Sequence, residues 1–278
     1  MSYSNSDQRD FWSSPSGQQW LDHQQALDTA LQPALEAVLH AACIQQGEAV
    51  LDIGCGTGAS ALIAAALAGP NGRVLGADIS DIMVGRATQR AQEAGAKNAE
   101  FMIVDAQQDA LPGPFDVLIS RFGMMFFADP LAAFANLKRA IRPGGRMAFI
   151  CWGAMPQNPW FGLTFKAATA RLGPVDRSDP NAPGPTAFKD ADRVTSLMAD
   201  AGLLDAAAQW VDVELPLPED AAGFLMQFGP AKRIIAEKNG TAEDEAAIRS
   251  AVQDALKPYT KQGKTHLPAG LWIYTARV

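Results

Sequence analysis

"VLDIGCGTG", residues Val50 to Gly58, runs an apolar stretch into glycines at alternate positions, Gly54, Gly56 and Gly58, with Asp52 set just ahead of the first. An apolar run ending in closely spaced glycines predicts a strand that turns sharply into a helix, a turn that commonly holds a ligand against the helix N-terminus. Asp52 restricts which ligand. A carboxylate beside a pyrophosphate costs on the order of 1 to 4 kcal/mol for charges about 4 Å apart, depending on the effective dielectric. A zwitterion of the amino-acid type fits better, because its carboxylate can take the helix N-terminus while its ammonium takes an acidic or carbonyl oxygen.

Outward from this loop the chain alternates strand and helix. "AVLDIG" is the first strand, followed by an alanine-rich helix from Ala59. "RVLGAD" is the second, with Ser80 placed to cap the helix "DIMVGRATQRAQEA" and Gly95 to end it. "EFMIVD" and "FDVLIS" are the third and fourth, Asp129 and Pro130 open the helix "LAAFANLKRAI", and the turn "RPGG" delivers the fifth strand, "RMAFICW". Strands this uniformly apolar, separated by helices, predict a parallel sheet covered on both faces. Ahead of them Leu35, Val38, Leu39, Ala42 and Cys43 mark one face of a helix that Pro33 starts, and the polar opening through Gln19 reads as a mobile end.

After Trp152 the rhythm breaks. Residues 173–187 hold four prolines and two glycines and read as a surface loop or lid. Val194, Leu197, Met198 and Ala201 give a helix stopped by Gly202, "QWVDVELPL" a sixth strand, "AAGFLMQF" and "EDEAAIRSAVQDAL" two helices, and "LWIYTARV" a last strand.

The 278 residues, 48% hydrophobic and 19% charged, suit a folded domain with a sizeable core. A net charge of -7 without a large basic cluster argues against nucleic acid or an anionic membrane as a partner. Three cysteines without disulfide or zinc spacing favour a reducing cytoplasm. No metal site, signal peptide or membrane span is expected.

In an open parallel sheet the ligand lies beyond the carboxyl ends of the strands. Those ends are Asp52 with its glycines, Asp78, Asp105, and Ser120 with Arg121. Asp78 follows Gly58 by 20 residues, an interval at which a carboxylate receives the two hydroxyls of a ribose. Gly54, Gly56 and Ala59 also satisfy a relaxed dinucleotide pattern, so an NAD(P)-dependent oxidoreductase stays open as an alternative.

"VLDIGCGTG", "VLGADIS", "VDAQQD", "FDVLISRFGMMFFADP" and "LKRAIRPGGRMAFICW", in this order, resemble the class I S-adenosylmethionine-dependent methyltransferases, in the branch near the quinone-biosynthesis (ubiquinone/menaquinone) enzymes. The motifs cover about residues 48–152. The resemblance implies a Rossmann-like, doubly wound α/β fold with a mostly parallel seven-stranded sheet. Residues 1–45 would form an N-terminal helical cover, 46–215 with 266–278 the core, and 216–265 a helical insertion over the substrate.

By the same resemblance Asp52, Gly54, Gly56 and Gly58 would hold the methionine part of S-adenosylmethionine, with Cys55 a small neutral residue between them. Asp78 would take the ribose, Ile79 and Met83 would pack on the adenine, and Asp105 and the Ala106 amide would meet its edge. Ser120, Arg121 and Phe122 would line the floor near the sulfonium. The product would be S-adenosyl-L-homocysteine, and the acceptor a small, hydrophobic or aromatic metabolite methylated on O, N or C. The Asn/Asp-Pro-Pro-aromatic pattern of enzymes that methylate nucleic-acid amino groups does not follow the fourth strand.

Direct displacement from a sulfonium needs positioning and exclusion of water more than an obligatory side chain. Trp12, Trp20, Phe126 and Trp152 are candidates for the substrate pocket, because aromatic faces stabilise a cation. His23, in a segment expected to fold over the cofactor, is the candidate general base. A protein that binds S-adenosylmethionine without transferring its methyl group stays open, as do a monomer and a homodimer.

Overall fold

The structure is a computed structural model and describes residues 5–176 and 179–278. The first four residues of the opening segment, and residues 177 and 178 of the proline-rich loop, lie outside the described residues. Four helices come first: α1 (Asn5–Trp12), α2 (Pro15–Asp22), α3 (Gln24–Ala30) and α4 (Gln32–Ala42). The alternating core follows with β1 (Ala49–Ile53), α5 (Ala59–Ala68), β2 (Arg73–Asp78), α6 (Asp81–Glu93), β3 (Ala99–Ile103), β4 (Phe115–Arg121), α7 (Pro130–Ala140) and β5 (Ile141–Trp152). Then come α8 (Pro159–Leu172), α9 (Ala191–Asp200), β6 (Leu204–Pro216), α10 (Ala221–Phe228), α11 (Ala231–Glu237), α12 (Ala242–Ala255), the two-residue β7 (Thr260–Lys261) and β8 (Lys264–Arg277).

The main sheet runs β3-β2-β1-β4-β5-β8-β6, with β7 forming a hairpin on β8. The pairs from β3 through β5 are parallel, while β8 runs antiparallel to both β5 and β6. The fold is therefore the expected mostly parallel α/β sheet, with one reversed strand near its edge. In β4, Val117, Leu118, Ile119 and Ser120 are consecutive buried residues, as a strand covered on both faces requires. Strand order reverses between β1 and β4, which opens a crevice at their carboxyl ends.

Local signals set several boundaries. Ser80 caps α6 by accepting from the Met83 amide, Asp129 caps α7 through the Ala132 amide, and Gly95 and Gly202 leave their helices at positive φ. Elsewhere the structure corrects the sequence reading. The opening is helical rather than mobile: Ser14 and Pro15 start α2, and α1 is anchored by tertiary hydrogen bonds that no apolar pattern announces, among them Ser80 Oγ to the Trp12 carbonyl at 2.9 Å. Cys43 is the left-handed cap of α4 and exposed, not part of its buried face.

"RPGG" is a bulge within β5 rather than a turn before it, since the register jumps from Phe115 opposite Ile141 to Val117 opposite Arg146. β6 begins at Leu204 through another irregularity, and β8 extends back past Pro268, which had masked its strand character. Helices α8 and α11 were not foreseen. α8 packs against α10, α11, α12 and β8, so the late helices join the core through it.

Candidate functional site

The crevice between β1 and β4 holds a cavity of about 200 Å³. Its floor begins with the loop after β1, where the Gly54 and Cys55 amides bond the Ala77 carbonyl and so tie the loop to the end of β2. Gly54 has φ +65°, and a Cβ there would stand 2.7 Å from the Gly123 Cα. Gly123 is reciprocally filled by the Ile53 carbonyl, so the loop after β1 crosses the loop after β4 backbone to backbone. Gly56, also at positive φ, has open space where its Cβ would be, and its amide donates to Asp78 Oδ2 at 2.8 Å. The Ser80 amide donates to Asp78 Oδ1 at 3.0 Å. The Asp78 carboxylate is therefore oriented by two backbone donors at the cavity wall.

Burial raises the carboxyls of both Asp78 and Asp52. For Asp78, hydrogen bonds from the Ser80, Gly56 and Ile79 amides oppose the shift. Asp52 is pushed up to about 7, despite the Ser60 hydroxyl at 2.5 Å and the charge of Arg121. Burial, with the negative charges of Asp78 and Asp52, keeps the Cys55 thiol neutral. Among the described residues, two buried polar side-chain atoms lack a hydrogen-bond partner, Asp52 Oδ1 and Arg121 Nη1, and both belong to this corner.

At the other end the cavity is aromatic. Phe122, at φ +62°, stacks on Trp152 with centroids 4.7 Å apart and planes 9° from parallel. A non-glycine residue at positive φ stores strain that the surrounding packing must offset, a condition concentrated at functional sites. Trp152 meets Phe161 edge-on, and Trp12 contacts both Trp20 and Phe126 edge-on. Trp20 meets Phe228 of α10. All of these side chains line the cavity.

Of the residues singled out from sequence, Gly54, Cys55, Gly56, Asp78, Ile79, Met83, Asp105, Ala106, Arg121, Phe122, Trp12, Trp20, Phe126 and Trp152 line this one cavity. Asp52, Gly58, Ser120 and His23 do not. Asp52 is fully buried behind the wall and acts on it through Ser60, which does line it. Gly58 caps α5 at φ +85°, where a Cβ would meet Ala87 and Phe101. Ser120 is spent internally, donating to the Ile53 carbonyl at 2.6 Å and accepting from the Gly123 amide. His23 sits at the junction of α2 and α3, edge-on to Phe228. Asp105 is already engaged, its Oδ1 accepting from Asn5 Nδ2 at 2.6 Å.

The apolar runs "RFGMMFF" and "FLMQF", read from sequence as an acceptor pocket, do reach the cavity through Gly123, Met125, Phe126, Phe127 and Phe228. Sequence reasoning missed Asn5, Gln24, Asp28, Trp160, Phe161 and Pro185 on its wall, which come from segments whose placement only packing decides. Among the described residues no helix is long and apolar enough to cross a membrane, and no group of three or more His, Cys, Asp or Glu is gathered as for a metal.

Comparison with known proteins agrees with this geometry. Residues 44–169 match the family described as a methyltransferase domain. Aklanonic acid methyltransferase DauC of Streptomyces sp. (strain C5) is 38% identical over 104 residues, 37% of this chain and 47% of that protein. Demethylmenaquinone methyltransferase of Lactococcus lactis subsp. lactis (strain IL1403) is 36% identical over 107 residues, 37% of this chain and 42% of that protein. The match thus spans less than half the length of either relative. The solved S-adenosylmethionine-dependent methyltransferase from Aquifex aeolicus superposes with a TM-score of 0.54 at 19% identity, covering 95% of this chain and 99% of that one. Residues 44–169 accordingly resemble a methyltransferase domain, and the chain shares the Rossmann-like fold of the solved S-adenosylmethionine-dependent methyltransferase.

Proposed function

We propose that the protein is an S-adenosylmethionine-dependent methyltransferase acting on a small hydrophobic or aromatic acceptor. The observation that carries this reading is the continuity of one cavity from an acidic, glycine-lined end to an aromatic end. The residues present fit the cofactor. Asp78, held by the Gly56 and Ser80 amides, offers its remaining acceptor capacity to ribose hydroxyls; Ile79 and Met83 pack beside an adenine; Asp105 and the Ala106 amide meet its edge; and Gly54 and Gly56 let a ligand approach the backbone. The relatives that act on aklanonic acid and demethylmenaquinone, by their names, support a small acceptor.

S-adenosylmethionine supplies an activated methyl group on a sulfonium. This chain's part is to orient the acceptor and exclude water. Phe122, Trp152, Trp160 and Phe161 form an aromatic wall, and Trp12 and Trp20 of the cover, with Phe228 of α10, line the cavity opposite them. Aromatic faces toward a sulfonium stabilise its charge. No histidine is among the described residues lining the cavity, so positioning rather than a histidine base carries the rate.

In this reading residues 1–45 are the cover, 216–265 the substrate-side insertion, and 46–215 with 266–278 the core. The protein works as a monomer or homodimer, and its three free cysteines suit a reducing cytoplasm. Titration with S-adenosylmethionine and with NADH, read by thermal shift, tests the cofactor, since a ligand of the native state raises its midpoint. Stabilisation by S-adenosylmethionine alone is expected, and stabilisation by NADH alone would overturn the reading. Release of S-adenosylhomocysteine across a panel of phenols, amines, quinols and carboxylic acids then identifies the acceptor.

A further inference from the structure

Arg121 is the one cation among the described residues that line the cavity, facing a wall that also carries Asp28, Asp78 and Asp105. Its neighbours do not satisfy it. The nearest carboxylate, Asp28 of α3, stands 3.9 Å from Nη2, and Nη1 has no partner. Arg90, in the same cluster, has partners at both terminal nitrogens: Nη2 pairs Asp28 Oδ2 at 2.8 Å, and Nη1 donates to the Thr57 carbonyl and hydroxyl at 2.8 and 3.1 Å. Asp28 Oδ2 is taken up further by Gln24 Nε2 at 3.1 Å. Two arginines thus share one cover carboxylate, and Asp52, the other anion whose charge Arg121 feels, stands beyond ion-pair distance of it. Arg90 ties the cluster to Thr57 of the glycine loop, and the charge of Arg121 acts on Asp52, whose carboxylate accepts from Ser60 in the first turn of α5, so the unpartnered guanidinium belongs to the glycine-loop end of the cavity.

An α-amino acid carboxylate meets this requirement. It would add charge-assisted hydrogen bonds to a planar donor fork and place its charge near a helix N-terminus. We propose that the Arg121 guanidinium, positioned at the cavity wall by Asp28 of the N-terminal cover, binds the α-carboxylate of the cofactor's amino-acid end. The inference rests on the cofactor assignment above and deepens it. Arg121 belongs to the binding machinery, and Asp28 is a positioning residue acting through it. The cover therefore completes the cofactor site as well as closing the acceptor end.

The test compares two ligands by calorimetry: S-adenosylhomocysteine, which carries the amino-acid tail, and 5′-methylthioadenosine, which lacks it. Arg121→Gln should weaken S-adenosylhomocysteine about tenfold or more while changing 5′-methylthioadenosine by less than about twofold. Arg121→Lys, which keeps the charge without the fork, should recover part of the loss. Asp28→Asn should give a smaller loss, again confined to the tailed ligand. Parallel weakening of both ligands, or unchanged binding of S-adenosylhomocysteine by Arg121→Gln, would show an internal counter-ion for Asp52 and overturn the proposal. If Arg121→Gln lacks a native melting transition, the Arg121→Lys and Asp28→Asn variants decide by the same ligand contrast. Failure of both ligands to bind the unmodified protein would instead reject the cofactor assignment itself.

Discussion

At the glycine-loop end of the cavity most of the wall comes from the ends of β1 and β2 and the turns that follow them, whereas the aromatic end collects Trp12 and Trp20 from the cover, Trp152 and Phe161 from mid-chain, and Phe228 from the late helices. The first is held by backbone hydrogen bonds between neighbouring strand ends, such as the Gly54 and Cys55 amides on the Ala77 carbonyl, and by positive-φ glycines. The second is held by side-chain packing across segments far apart in sequence. A polar site built locally tolerates little backbone change, while an aromatic chamber assembled from distant pieces can alter one wall and leave the others standing. The two ends should therefore respond to different substitutions.

The largest effect is expected at the loop crossing. Gly54→Ala puts a Cβ 2.7 Å from the Gly123 Cα at φ +65° and should destabilise the fold by about 2–4 kcal/mol, abolishing S-adenosylhomocysteine binding; urea denaturation and calorimetry measure both. Asp78→Asn comes next. Loss of a charged acceptor should weaken S-adenosylhomocysteine and 5′-methylthioadenosine alike, by roughly 10- to 100-fold, because both carry the ribose. An effect confined to the tailed ligand would remove Asp78 from the ribose.

Phe228→Ala tests the other end. It should raise the KM for the acceptor roughly two- to tenfold with little change in S-adenosylhomocysteine affinity, and an equal change in both would show that the two ends are not separable.

A smaller, pH-dependent effect comes from Asp52. Its carboxyl is raised to about 7 in the folded protein, so the native state binds a proton that the unfolded chain has released above the ordinary value of 3.8. Stability of the ligand-free protein should consequently fall as pH rises from about 4 through 7, and Asp52→Asn should flatten that slope in denaturation curves recorded at each pH. Least of all, His23→Ala should leave turnover within about twofold, because the imidazole does not line the cavity. A large loss of kcat would restore it as the base.

The legible parts of the molecule are those where a residue acts on its sequence neighbours. Ser80 bonds an amide three residues on, Asp129 does the same, and Asp78 reaches the amide of Ser80, so caps and strand ends can be read from spacing alone. Asp52 was legible as chemistry but not as position: its place behind the wall depends on β1 being buried on both sides. Asn5 and Asp28 were illegible for the opposite reason. Polar residues in polar helices carry no periodic signal, and their roles arise when α1 meets Asp105 and α3 meets two arginines.

Alternation of apolar strands with capped helices, and closely spaced glycines after the first strand, determined the α/β class and the sheet's parallel half, because those properties follow from local backbone preference. Tertiary structure alone decided that the opening segment folds as helices, that β8 runs antiparallel between β5 and β6, and that aromatic side chains from four separate regions close one chamber. These depend on burial between segments distant along the chain, which no window of sequence contains.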